Sequence, residues 1–419
     1  MNQSTAAKSD KTEQQADEKP PLWELIPLAE FKPPSSPAPE AVRSGLHDLW
    51  RRLRGGETAN NGAEPDVEME RPSQRLLDWA APEPDWATTE LAGLEAGLRG
   101  WLDSEAASVG VQTIVDPPMG LVRERLERWA AEQDYFIITP PTPEQIIADS
   151  DEWLGALPLD GGQRLLLPRL ERSFLRHHNG LDLLRRLLYR IDRLDPPLLV
   201  LCQSWAWPYL CQAVQIDAVL GAPRTPAPFG DEALHRWLGG SAQDASPHPV
   251  VFREASNGKT LLEPFTADSA PSSTASAYLK NLAARSRGNP RVAWNIWRSA
   301  LLASKDRSVE KEAQEEAKED VGYTLWVRPW EQMHLPDLAG SAKSLDGMLL
   351  YTLLLHGGLA RHLLTDLLPF SPGQLLDRLH RLRVAGVVEE SGDVWGPTPV
   401  GYPAIRRFLE EEGFLVDAL

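Results

Sequence analysis

The chain has 419 residues, enough for two or three compact domains, and its 42 % apolar and 25 % charged make-up is that of a globular protein. A formal charge of −17 excludes a general polyanion binder, because nucleic acid is held where Lys and Arg cluster against phosphates. Two cysteines, Cys202 and Cys211, exclude a disulfide framework or a Cys-rich zinc site and point to a reducing cytoplasm; no apolar run reaches the ~20 residues of a membrane span.

Residues 1–72 read as mostly disordered, with apolar islands at 22–31 and 45–54 between Pro-, Ser- and Gly-rich stretches. Trp23, Leu25 and Ile26 in the first island and Leu46, Leu49 and Trp50 in the second suit docking, either onto a partner or onto the protein's own body. Residues 73–108 form a helical lead-in, divided by Pro82 and Pro84. Strand–helix alternation then begins. Strands are expected at 111–115, 135–139, 164–167, 198–202 and 218–222. Helices are expected at 121–131, from Thr142, at 174–191 and at 205–215. Helices of this length between strands imply parallel crossovers, so 109–225 is expected to be a three-layer α/β core.

Residues 226–304 read as helical, with helices at 231–238, 276–286 and 290–304 and a loop insertion at 239–273. A charged linker, 305–344, leads to 345–419. There three short helices at 345–355, 360–368 and 372–384 precede a hairpin around Ser391-Gly392-Asp393 and a closing helix, the winged-helix arrangement. The fifteen Trp follow no repeat and read as core and interface anchors.

The run Gly288-Asn289-Pro290-Arg291 opens a helix with proline in its first turn, where the missing N–H costs nothing. With the element order before it, this run resembles the core and lid of AAA+ ATPases. Residues 345–419 are similar to the winged helix that follows such cores in replication-initiator-type ATPases. The resemblance implies a P-loop NTPase-like parallel sheet, a helical lid, and ATP or ADP between them, with Arg291 as the phosphate-sensing arginine. It also implies a phosphate loop after the first strand, an acid after the third and a polar sensor after the fourth.

In those places the chain has Asp116-Pro117-Pro118-Met119-Gly120, Arg169-Leu170-Glu171 and Gln203-Ser204. A working loop aims successive N–H groups at the phosphates and adds a Lys and a magnesium-holding Ser or Thr. Here two prolines remove donors, Asp116 repels phosphate, and only Gly120 keeps the family's residue type. Glu171 also suits an ordinary helix start, and Arg291 an ordinary surface ion pair.

Other motifs lead nowhere catalytic. Gly258-Lys259-Thr260 behind Val250-Val251-Phe252 imitates a phosphate loop, but Arg253 replaces the first glycine and Pro264 and Pro271 break any following helix; an exposed hairpin or loop is expected. His177 and His178, adjacent on a helix, point about 100° apart and chelate poorly. Neither His-Glu-x-x-His nor Gly-x-Ser-x-Gly occurs. On the third short helix, Gln374, Arg378, Arg381 and Arg383 are candidates for contact with DNA or a partner. Asp377, Glu389, Glu390 and Asp393 oppose phosphate.

The expected function is therefore that of a non-catalytic pseudo-ATPase, regulating or assembling a protein partner's complex, with a nucleotide retained or sensed at Gly120, Glu171, Gln203, Ser204 and Arg291. Two alternatives stand beside it: an active ATPase with a non-standard loop, and a DNA-binding regulator using the winged helix. No catalytic residue or metal is assigned.

Overall fold

Short aliphatic runs punctuated by Pro and Gly build the central sheet, and burial on both faces explains why those runs do not alternate with polar residues. The computed structural model describes residues 24–36, 69–84, 92–102, 110–194, 196–240, 250–263, 273–304, 323–338 and 344–419. The first elements are β1 (Leu25–Pro27), β2 (Met69–Glu70), α1 (Gln74–Ala80) and α2 (Ala92–Leu102). The alternating region carries β3 (Val111–Asp116), α3 (Val122–Glu132), β4 (Phe136–Ile137), α4 (Pro143–Ile147), α5 (Asp151–Gly155), β5 (Leu165–Leu167), α6 (Asp182–Leu194), β6 (Leu198–Gln203), α7 (Ala206–Val214), α8 (Ile216–Leu220) and β7 (Arg224–Pro226). There follow α9 (Asp231–Gly239), β8 (Val250–Glu254), β9 (Thr260–Leu262), α10 (Ser273–Ser286), α11 (Pro290–Ser299), β10 (Leu301–Ser304) and β11 (Tyr323–Val327). The last unit comprises α12 (Ser344–Leu355), β12 (Leu359–Ala360), α13 (Arg361–Leu367), α14 (Pro372–Val384), β13 (Val388–Ser391), β14 (Val394–Pro397) and α15 (Tyr402–Glu411).

The central sheet runs β1-β7-β3-β6-β5-β4, parallel from β7 to β4, with β1 antiparallel on the edge. β3 and β6 pair along the whole of β3, from Val111 opposite Leu198 to Asp116 opposite Gln203, so their polar ends emerge side by side. The chain is thus a mixed α/β protein. Among the described residues no helix is long and apolar enough to cross a membrane.

Several expectations need correction. The fifth strand is 224–226, not 218–222. The latter stretch lies mostly in α8, because Gln215 turns left-handed (φ 52°) and restarts a helix directly after α7. The helix expected from 174 begins only at Asp182, since Leu175–Gly180 close a hydrogen-bonded loop first. The region 226–304 is not purely helical: α11 stops at Ser299 and β10 follows. Strands from the supposed insertion join a second sheet, β2-β10-β11-β8-β9, in which β8 and β11 run parallel. The Gly258-Lys259-Thr260 run lies in the β8–β9 hairpin of that sheet.

One of the two N-terminal islands docks on the protein's own body. Leu25 is buried, Ile26 half-buried, and β1 extends the central sheet beside β7. Trp23, Leu46, Leu49 and Trp50 lie outside the described residues. Trp237, Trp294 and Trp297 form one cluster, with ring centroids 5.9 and 5.1 Å apart, and Phe252 of the second sheet lies 4.5 Å from Trp297. Each such pair adds about 1 kcal/mol beyond area burial, so these Trp anchor the core.

The last unit holds four helices and an antiparallel sheet ordered β12-β14-β13. It packs on the core through Trp205, whose indole N–H donates to the Tyr402 hydroxyl at 3.1 Å, and through Arg172, which donates to the Gly357 carbonyl at 2.9 Å. His356, fully buried, accepts the Arg176 N–H at Nε2, which leaves Nδ1–H to face the Glu171 carbonyl at 3.3 Å. Burial lowers its pKa to about 3, so this link is a neutral imidazole.

Candidate functional site

The carboxyl ends of β3, β5 and β6 open onto a cleft of ≈ 260 Å³, the place where open parallel sheets hold ligands. Gly120, Glu171, Gln203 and Arg291, from four separate segments, all line it. Asp116, Arg123 and Arg169 line it too, and Gly357, Gly396 and Pro397 form its wall on the side of the last unit. Ser204 points elsewhere: it is buried, and its hydroxyl donates to Asp417. Side chains at the end of an extended strand alternate in direction, so Gln203 and its neighbour cannot both face the cleft.

Asp116 decides the electrostatics. The turn after β3 is closed by Gly120 N–H donating to the Pro117 carbonyl at 2.9 Å, and the Asp116 side chain folds back over it. A Cβ on Gly120 would lie 2.2 Å from Asp116 Oδ1, so only glycine leaves the carboxyl this room. Leu121, at the N-cap of α3, offers no side-chain cap, and the Asp116 carboxyl stands near the Val122 N–H, which favours its charged form slightly. A side-chain carboxyl therefore occupies the anion position at the start of α3. Burial pushes its pKa up to about 7, although Arg123 and Arg291 pull it down.

The rest of the cleft is crowded with buried charge. Glu171 accepts the Gln203 N–H at 3.3 Å, and burial raises its pKa. Arg169 Nε stands 3.9 Å from Glu171. Burial, and then the repulsion of a neighbouring guanidinium, lowers the pKa of both Arg169 and Arg172. Arg169 Nε, Gln203 Oε1 and Asp116 Oδ1, all on residues that line the cleft, are buried without a hydrogen-bond partner. Each such atom costs on the order of 1–3 kcal/mol, so the cleft holds polar capacity that the fold leaves unused.

Arg291 donates to Glu124 at 2.9 Å and also lines the cleft. Asn289 does more than its neighbour. Its Oδ1 accepts the N–H groups of Arg291 and Val292 at 3.1 and 3.2 Å, capping α11, and its Nδ2 donates to the Pro118 carbonyl at 2.8 Å. Gly288 permits this approach: its φ is +77°, and a Cβ there would lie 2.4 Å from Pro228 Cβ. The Asn-Pro pair before a helix was a legible cap signal; Arg123 and Arg172 gave no sequence signal at all.

On α14 the candidates are largely used internally. Gln374 and Ser371 form a reciprocal capping box. Arg378 pairs with buried Asp346 and lies 4.9 Å above the Phe370 ring. Arg381 donates to Asp377 at 3.2 Å and stands 3.8 Å from Asp346. Arg383 is exposed. Gln374 and Arg378 are thus committed to holding the unit together. His177 and His178 lie in a loop with ring centroids 4.0 Å apart and tilted by 49°, and among the described residues no cluster of His, Cys, Asp or Glu is arranged to hold a metal. No protein-family model matches the chain, and no curated protein matches it.

Proposed function

We propose that the chain is a non-hydrolysing relative of AAA+ nucleotide clamps that regulates or assembles a protein complex through protein contacts. Its support is convergence: residues at the ends of the first, third and fourth core strands and at the start of α11 meet in one cleft. The observation that carries the loss of hydrolysis is the Asp116 carboxyl at the helix start. Two like charges about 4 Å apart repel by about 4 kcal/mol at an effective dielectric near 20. That is roughly a thousandfold loss in affinity for a phosphate beside the ionised carboxyl. A carboxyl with a pKa of about 7 can take up a proton instead, which limits the loss to roughly fourfold at pH 7.5 and thirtyfold at pH 8.5. ATP or ADP has room here only with Asp116 protonated.

Contact with protein instead of DNA is favoured by α14, where Leu376 (47 % exposed) and Val384 (76 %) face outward while Gln374 is used in the helix cap and Arg378 in the pair with Asp346. Three helices followed by a hairpin support the winged-helix reading of this unit. The test is phosphate release and calorimetric titration with magnesium ATP, where no turnover is expected at any pH and binding heat should weaken as pH rises from 6 to 8.5 and Asp116 ionises. Steady release abolished by both Glu171→Gln and Arg291→Ala would establish an active ATPase and overturn the proposal. Duplex DNA binding weakened by Arg381→Ala together with Arg383→Ala would favour the DNA regulator instead.

A further inference from the structure

Residues 414–419 follow α15 without regular secondary structure and lie in a groove like a bound peptide. Asp417 and Leu419 are buried while Ala418 between them is exposed, the alternation of an extended segment against a surface. Side chains from three parts of the molecule hold it. Ser204, after β6, donates its hydroxyl to the Asp417 carboxyl. Arg406 of α15 donates to the other carboxyl oxygen at 3.3 Å and to the Asp417 carbonyl at 2.9 Å. Arg287, in the turn between α10 and α11, donates to the carbonyls of Leu419 at 2.6 Å and Ala418 at 3.2 Å. Leu419, 3 % exposed, lines an apolar cavity of ≈ 40 Å³ with Phe31, Pro228, Phe229 and Gly288.

We propose that 417–419 is a displaceable internal ligand. The groove recognises an acidic residue, three successive backbone carbonyls and an apolar side chain two positions after the acid. While the chain's own segment fills it, the core, the α10–α11 turn and the last unit are tied together. Because side chains make these bonds, release of the segment leaves every sheet ladder and helix intact. Segments of this kind open with far less free energy than the elements they touch. The cavity beside Leu419 shares Asp116 and Gly120 with the cleft, so the segment sits against the cleft on its α11 side. The inference rests on these contacts and not on the ancestry proposed above.

The test uses the full chain and an acetylated, fluorescently labelled peptide of residues 413–419. Asp417→Ala with Leu419→Ala empties the groove, and this variant should bind the peptide at least tenfold more tightly than the wild-type chain, whose own segment competes. Adding Arg287→Ala should abolish that binding. Equal affinity for both chains, or no binding by an emptied variant that keeps its melting temperature, overturns the proposal. Hydrogen exchange on the wild-type chain decides the matter if the variant does not fold: amides of 415–419 should exchange at least tenfold faster than those of α15, and equal protection overturns the proposal.

Discussion

Replacing Asp116 by Asn tests the electrostatics of the cleft directly. Unfolded, this carboxyl titrates near 3.8; folded, burial holds it at about 7. The folded state therefore binds more protons between those two values, and stability falls as pH rises through that window. Each pH unit is worth about 1.4 kcal/mol, so the full effect above pH 7 has an upper bound of about 4 kcal/mol. Water entry and side-chain relaxation reduce this to on the order of 2 kcal/mol. Asn keeps the shape and an acceptor for the Val122 N–H but cannot ionise. Asp116→Asn should match the wild type below pH 4 and exceed it at pH 8, by roughly 3–6 °C in melting temperature for a chain of this size. Fifteen Trp give the fluorescence signal for scans across pH 4–8.5. Parallel curves for the two proteins would refute both the buried carboxyl and the repulsion argument built on it.

Gly120→Ala should destabilise by about 2 kcal/mol, because its methyl group displaces the Asp116 carboxyl. The same change in an Asp116→Ala background should cost under half as much, read by urea denaturation as a double-mutant cycle. Arg378→Ala removes the nearest guanidinium from Asp346, whose side chain is 2 % exposed, and should cost about 2 kcal/mol with Arg381 still 3.8 Å away, whereas Arg383→Ala should stay within about 0.5 kcal/mol. His356 has the opposite sign to Asp116. Burial lowers its pKa from 6.5 to about 3, so the neutral imidazole's contribution is lost as pH falls through that range. His356→Gln should flatten the stability profile between pH 6.5 and 3 in thermal scans.

The strands that could be read from the sequence were those made by local composition. Leu165–Leu167 and Leu198–Gln203 are aliphatic runs beside prolines or polar stops, and burial on both faces demands that pattern. β7 is Arg-Thr-Pro, which carries no strand signal; it is a strand because Leu25–Pro27 and Ile114 pair with it. The second sheet gathers strands from residue 69 to residue 327, and such pairing is invisible to any local window. The cleft was legible where strand ends fix it, at Gly120, Glu171 and Gln203. It was not legible where it depends on residues far apart, as in the contact of Arg172 with Gly357, 185 positions away. Ser204 was misplaced by one position in an alternating strand, which sends a side chain to the opposite side.

Asp116 and the 417–419 segment close the same region by different physics, and that makes them separable. The first acts by charge at the start of α3, the second by side-chain bonds from Ser204, Arg406 and Arg287 and by Leu419 in its cavity. Above pH 8, where Asp116 is ionised, Asp116→Asn should raise phosphate affinity with no change in peptide binding to the groove. Asp417→Ala with Leu419→Ala should loosen the groove with no gain in affinity for inorganic phosphate. Non-interacting sites add within about 0.5 kcal/mol. If combining the substitutions raises phosphate affinity well beyond the effect of Asp116→Asn alone, the segment is a second barrier on the same path, and the two devices form one lock.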